Sequence, residues 1–157
     1  DEIRPQLKEL VAVNKALGIQ AVYQNHSGSN YFGAPLWDLW LLFKEHPVDQ
    51  LSVALDTGHT KVEGTNSWPI QANLLRPHLG ALYVKDYTWV ENKKTLVPLG
   101  QGNIDSRYPR QLLKSGFAGP VNLHVEYLKP FVKENVPKQI AAMRRDLSTL
   151  RKWLGWA

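Results

Sequence analysis

Hydrophobic positions along the chain switch several times between helical and strand spacing, and the order of the switches carries most of the information. Ile3, Leu7, Leu10, Val11 and Leu17 recur at helical spacing, with Gly18 as a stop. A short strand, Ala21 to Gln24, and a loop, NHSGSNYFG, follow. Leu36 to Phe43 then reads as a helix that opens after Pro35 and ends before Pro47. Next come a strand over Leu51 to Leu55, a helix from about Trp68 to Leu75 and a strand over Ala81 to Lys85. The stretch YTWVENKKTLVPLGQGNID reads as a long loop, followed by a helix from about Ser106 to Ser115 that Gly116 closes. A strand over Val121 to Tyr127 and a long helix from about Val136 to Trp153 complete the order: one helix, then four strand-plus-helix units.

Regular alternation predicts an α/β fold whose strands pair in parallel through right-handed crossovers, either an open doubly wound sheet or a (β/α) barrel. No G-x-G-x-x-G opens a helix, and GQGNID lacks the third glycine, so a dinucleotide fold is not favoured. Strand phase favours the barrel. Val22, Gln24 and His26 share one face, as do Ser52, Ala54 and Asp56, then Tyr83 and Lys85, then Asn122, His124 and Glu126. The opposite faces carry Ala21 and Tyr23; Leu51, Val53 and Leu55; Leu82 and Val84; Leu123, Val125 and Tyr127. A barrel puts the second set against outer helices and gathers the first at its C-terminal mouth, where catalytic groups sit. Four strands cannot close a barrel of eight. The whole chain, residues 1–157, is therefore expected to be one unit, four parallel (β/α) repeats with outer helices, the C-terminal half of a TIM barrel. The N-terminal half lies outside this chain, or a second copy completes it.

Composition changes this picture only in places. With 43% hydrophobic and 21% charged residues the chain reads as globular. The absence of Cys excludes disulfides, thiolate metal sites and a cysteine nucleophile. No apolar run is long enough for a membrane span, and no signal-peptide pattern follows Asp1, so any targeting segment has been removed or lies outside the chain. A cytoplasmic location is the expectation, with a periplasmic or secreted one left open. The net charge of +5 comes largely from Lys129 to Lys152. There Glu134 and Asp146 and the apolar Ile140, Met143, Leu147, Leu150 and Leu154 recur at helical spacing, a solvated helix face and not a nucleic-acid surface.

The candidate chemistry sits at strand ends. Asp56 and Glu126 fall on inner faces, where a carboxylate is costly unless it is paired or used. Capping of the Thr57 or Gly58 N–H groups is the alternative for Asp56. His26 and His59 stand beside a strand end, Lys85 offers a fixed cation or an ion-paired rim residue beside Asp86, and Trp89 in the long loop offers a face for a sugar ring. His124 lies one layer deeper than Glu126, while His46 and His78 read as capping or surface groups. The two glycines of PLGQGNID permit close backbone approach, either a weak phosphate cradle or a plain turn.

The order of elements, with VYQNHSG, ALDTGH, LYVKDY, PLGQGNID and VNLHVEYL at strand ends or in the loops after them, resembles the sugar phosphate isomerase/epimerase family. The resemblance is to the C-terminal half of these xylose-isomerase-like TIM barrels and runs from about Leu7 to about Lys129. It implies a divalent metal, Mn²⁺, Mg²⁺ or Zn²⁺, held by Glu, Asp, His and Glu on successive strands. Asp56 matches the metal-binding Asp, Glu126 the final metal-binding and acid/base Glu, and His59 a substrate-contacting His. Gln24 and Tyr83 stand at the other two ligand positions. Gln24 can offer a neutral amide oxygen, whereas a phenol with pKa near ~10 is a poor ligand. His26 and His124 are the substitutes on the inner faces, and Lys85 could supply the positive charge without a metal.

The function implied is isomerisation or epimerisation of a sugar or sugar derivative, by proton transfer beside a carbonyl through an enediolate. Asp56, Glu126 and Lys85 would carry the chemistry, and His59, His26, Gln24 and Trp89 would bind the sugar. The alternatives are a non-catalytic relative that binds a sugar or partner, and a lyase or glycoside-cleaving relative acting on an oxidised sugar. An apurinic-site endonuclease is disfavoured by the sparse His and carboxylate set. Expected partners are a small sugar and the missing half or a second copy, with no nucleic acid and no membrane.

Overall fold

The structure, a computed structural model, describes residues 2–156. The fold falls into two compact units, one ending at Leu82 and the other beginning at Tyr83. Parallel strands alternate with helices, the α/β class that the alternation predicts.

In the first unit, helix α1 (Ile3–Leu17) ends on Gly18, whose φ of +64° lets its N–H turn back to the carbonyls of Asn14 and Lys15. Strand β1 (Ala21–Gln24), helix α2 (Leu36–Phe43) and strand β2 (Leu51–Asp56) follow, then helices α3 (Thr57–Gly64) and α4 (Trp68–Leu75), a 3₁₀ turn over Arg76–His78 and strand β3 (Leu79–Val84). β1, β2 and β3 are neighbours in the sheet in that order. β1 pairs in parallel with β2, Ala21 opposite Leu51 through Gln24 opposite Ala54, which puts Gln24 on the face that Ala54 shares with Asp56. β2 is buried along its whole length. Leu36, Leu39 and Phe43 of α2 and Ala72 and Leu75 of α4 are buried with Val53 and Leu55 in the core.

The second unit takes the end of β3 and adds strands β4 (Asp86–Val90) and β5 (Lys93–Val97), helix α5 (Arg107–Lys114), strand β6 (Val121–Leu123), a 3₁₀ turn over Lys133–Asn135 and helix α6 (Val136–Leu154). Within this unit β6 lies beside the end of β3, the part that Tyr83 and Val84 make up. α5 packs on α6, with Leu112, Leu150 and Leu154 buried.

One helix goes beyond the expected elements, and three expectations need correction. Sequence spacing assigns no element to the segment after Asp56, which is helix α3. Gly58, Gly64 and the β-branched Thr57, Thr60 and Val62 are weak helix formers, so no propensity signal announces it. The long loop contains a hairpin: β4 and β5 pair antiparallel from Asp86 opposite Val97 to Val90 opposite Lys93. Glu91 and Asn92 make its two-residue turn with φ of +48° and +61°, the two positive values that a type I′ turn requires. The strand expected over Val121 to Tyr127 stops at Leu123. His124 N–H still reaches the Val84 carbonyl at 2.9 Å, and then the chain leaves the ladder. Finally, Asp146 is not on a solvated face: it is buried and accepts from the Tyr127 hydroxyl at 2.7 Å and from Arg145 Nε at 3.1 Å.

Candidate functional site

The sequence-predicted residues form one group in each unit. In the first, Asp56 ends β2 with its side chain fully buried (0% exposed). Its carboxylate accepts from Gln24 Nε2, which reaches Oδ2 at 2.9 Å, and from the His59 backbone N–H, which reaches Oδ1 at 3.1 Å. Asp56 is thus the N-cap of α3, satisfying a backbone donor that the helix cannot satisfy itself. The capping weighed for this residue occurs, with the His59 N–H as a donor to its carboxylate.

His59, on the first turn of α3, is buried. Its Nδ1 accepts the Ser27 backbone N–H at 3.1 Å and lies 2.8 Å from Ser27 Oγ. A lone pair on Nδ1 places the proton of the neutral ring on Nε2, which stands 3.9 Å from Asp56 Oδ2. The His26 ring stacks on Tyr31 with centroids 4.0 Å apart and lies 3.8 Å from the His59 ring, so three rings form a column from the buried His59 to the exposed Tyr31.

Asn25, which the sequence reading passed over, holds this group together. Its buried amide takes the Asp56 N–H on Oδ1 at 2.8 Å and donates to Thr60 Oγ1 at 3.1 Å, tying the end of β1 to the β2–α3 junction. Glu63 was also missed; it accepts the Gly28 N–H at 2.7 Å and fixes the loop that carries His26 and Ser27. The only sequence signal for Asn25 is its place directly after a strand.

In the second unit, Lys85 follows β3 with its side chain only 5% exposed, and its ammonium lies 3.2 Å from Glu126 Oε2. It is therefore ion-paired, as one reading expected, with Glu126 as a partner, but in the interior and not on the rim. Glu126 keeps 40% of its side chain exposed and has His124 Nδ1 3.5 Å from its other oxygen. Tyr83 packs on the His124 ring with centroids 4.7 Å apart.

Asp86 turns the other way. Its carboxylate accepts the backbone N–H groups of Tyr87 (2.9 Å), Gly100 (3.0 Å), Gly102 (3.0 Å) and Ile104 (3.2 Å). The PLGQGNID loop thus already holds an anion, the protein's own, which removes the phosphate-cradle reading. Gly102 is required there because a Cβ would strike the Tyr87 carbonyl and the Asp86 carboxylate. Trp89, half-exposed on β4, meets Tyr87 edge-on at 5.9 Å.

These residues do not fit a divalent-ion site in this arrangement. Two oxygen ligands would turn their lone pairs toward a common point, but Gln24 turns its NH₂ toward Asp56, and both Asp56 oxygens face N–H donors. Among the described residues no three His, Cys, Asp or Glu side chains are placed to hold one ion. Nor is any helix among them long and apolar enough to cross a membrane.

The solved structures that the chain resembles place this geometry in a known fold. A D-tagatose 3-epimerase-like protein matches with a TM-score of 0.65 at 16% identity over 93% of this chain and 53% of its own. L-ribulose 3-epimerase matches with a TM-score of 0.65 at 18% identity over 95% and 50%. A xylose isomerase domain protein from Planctomyces limnophilus matches with a TM-score of 0.61 at 22% identity over 98% and 55%. The chain therefore spans about half the length of these structures. No curated protein matches the sequence. The description of the xylose isomerase-like TIM barrels matches residues 1–153, and the chain belongs to that family.

Proposed function

We propose that this chain is the C-terminal half of a barrel that isomerises or epimerises a sugar or sugar derivative by proton transfer beside a carbonyl. The observation that carries the reading is the Lys85–Glu126 pair, a buried ammonium 3.2 Å from a carboxylate that stays 40% exposed. An exposed carboxylate can take a proton from the carbon beside a carbonyl, and the electron pair moves to the carbonyl oxygen. The ammonium supplies a fixed positive charge for the resulting enediolate. Reprotonation on the opposite face of the same carbon gives the epimer, and reprotonation on the neighbouring carbon gives the isomer. Asp56 is the proposed second carboxylate, an assignment that rests on the resemblance, and His59, His26, Gln24 and Trp89 are the proposed sugar-binding groups. The full-length protein carrying this chain is to be assayed with D-tagatose and L-ribulose. Glu126→Gln is expected to lower kcat by about 10²–10⁴-fold, the usual contribution of a general acid or base. Wild-type turnover by Glu126→Gln would overturn the reading.

A second reading, a relative that binds a sugar without converting it, is favoured by Gln24 donating to Asp56 and by Tyr83 at the other altered position. Calorimetry with D-tagatose and L-ribulose, run beside the turnover assay, separates the two. Binding without turnover supports the non-catalytic relative, and turnover that Glu126→Gln abolishes counts against it.

A further inference from the structure

A groove of about 370 Å³ lies between α5 and α6 in the second unit. Its volume is within the range of about 300–1,000 Å³ that small-molecule sites occupy. Arg107, Arg110 and Lys114 line it from one face of α5, and Lys152 and Trp153 line it from the last turn of α6. None of these residues belongs to the groups described above.

The charge in the groove is lopsided. The two helices together carry eight Lys or Arg residues and one acid, Asp146, whose carboxylate is already engaged by Tyr127 and Arg145. Arg107 is neutralised by two short bonds to Asp105, at 2.9 and 2.8 Å. Among the described residues no carboxylate pairs with Arg110, Lys114 or Lys152. Arg110 is held close over the end of α6: a Cβ on Gly155 would come within 3.3 Å of its guanidinium. The negative C-terminal end of α6 accounts for one nearby cation, but not for three cations gathered on one groove. Like charges brought together repel unless an anion sits among them, and an Arg fork beside two ammonium groups suits a phosphate better than a single carboxylate.

The half-buried Trp153 adds a flat apolar wall to the same groove. We propose that the α5–α6 groove binds a small phosphorylated ligand that carries a planar ring, the chemical class of a nucleotide. Its phosphate meets Arg110, Lys114 and Lys152, and its ring lies against Trp153.

Titration calorimetry of the full-length protein with ADP, adenosine and ribose 5-phosphate tests this assignment. ADP is expected to bind with one-to-one stoichiometry and to weaken as salt rises, because exposed charge pairs are screened within about 8–10 Å at physiological ionic strength. Arg110→Gln/Lys152→Gln is expected to weaken ADP by about 100-fold, two charge-assisted contacts of roughly 1.4 kcal/mol each. Adenosine, which lacks the phosphate, is expected to give no measurable heat. Trp153→Leu is expected to weaken ADP by about 10-fold, the value of one lost ring contact, while leaving ribose 5-phosphate unchanged. All three side chains lie at the surface or half-buried, and circular dichroism checks that the variants fold. Absence of ADP binding, equal ADP affinity in the double variant, or adenosine binding as tightly as ADP would each overturn the proposal.

Discussion

Asp86 illustrates how much of the candidate region is held by single side chains. Four backbone N–H groups converge on its carboxylate, from the residue next to it and from a loop more than a dozen positions away. Asp86→Asn keeps the shape but removes the charge and turns one acceptor oxygen into a donor facing other donors. It is expected to cost about 2–4 kcal/mol, measured as a lower urea midpoint at unchanged m-value. Tyr127 gives a pH signature. Burial first, and then the hydrogen bond to Asp146, push its hydroxyl up to about 12. The folded state thus holds the phenol proton more tightly than the unfolded chain, whose value is near ~10. That contribution is whole below pH ~10 and is lost as pH rises through about 12. The stability gap between wild type and Tyr127→Phe should therefore shrink across that window, and a constant gap would contradict the assignment. Strand phase made Asp56 and Glu126 legible in the sequence. Asn25 and Asp86 were not legible, because bonds to distant backbone groups leave no spacing signal.

Elements were legible where a long apolar period or a clear stop marks them. α1, α2, α4 and α6 lie where periodicity and the Pro and Gly stops put them. α3 and the β4–β5 hairpin escaped for opposite reasons: α3 has poor intrinsic helix formers and forms because Asp56 caps it, whereas the hairpin has two good five-residue strands joined by Glu-Asn, an unfamiliar type I′ pair. Glu91 carries a Cβ at φ +48°, which strains an L residue. Glu91→Asn should stabilise the second unit by about 0.5–1 kcal/mol, because Asn tolerates this conformation. An unchanged thermal midpoint would show that the turn is not strained.

At the scale of the whole molecule, the chain aligns with about half of each solved structure it resembles. β1 is an edge strand of its sheet with Val22 and Tyr23 exposed, and α1 exposes Leu10, Val13 and Leu17. Open edges and large apolar patches favour association. Residues 1–157 are expected to sediment as a dimer or larger, and a stable monomer would contradict the expectation. The sequence pattern disclosed the α/β alternation and the family. It could not disclose the geometry around Gln24, because an amide can offer its oxygen to a cation or its NH₂ to a carboxylate, and the sequence does not show which partner it meets.

Proton transfer at carbon is the central claim, and deuterium wash-in reads it most directly. The full-length protein is incubated with D-tagatose or L-ribulose in D₂O, and loss of the signal of the proton beside the carbonyl is followed by proton NMR. Wild type is expected to exchange that proton at least as fast as it forms product, and Glu126→Gln to exchange it about 100-fold more slowly. No exchange above the protein-free rate, or equal exchange by Glu126→Gln, would contradict the account.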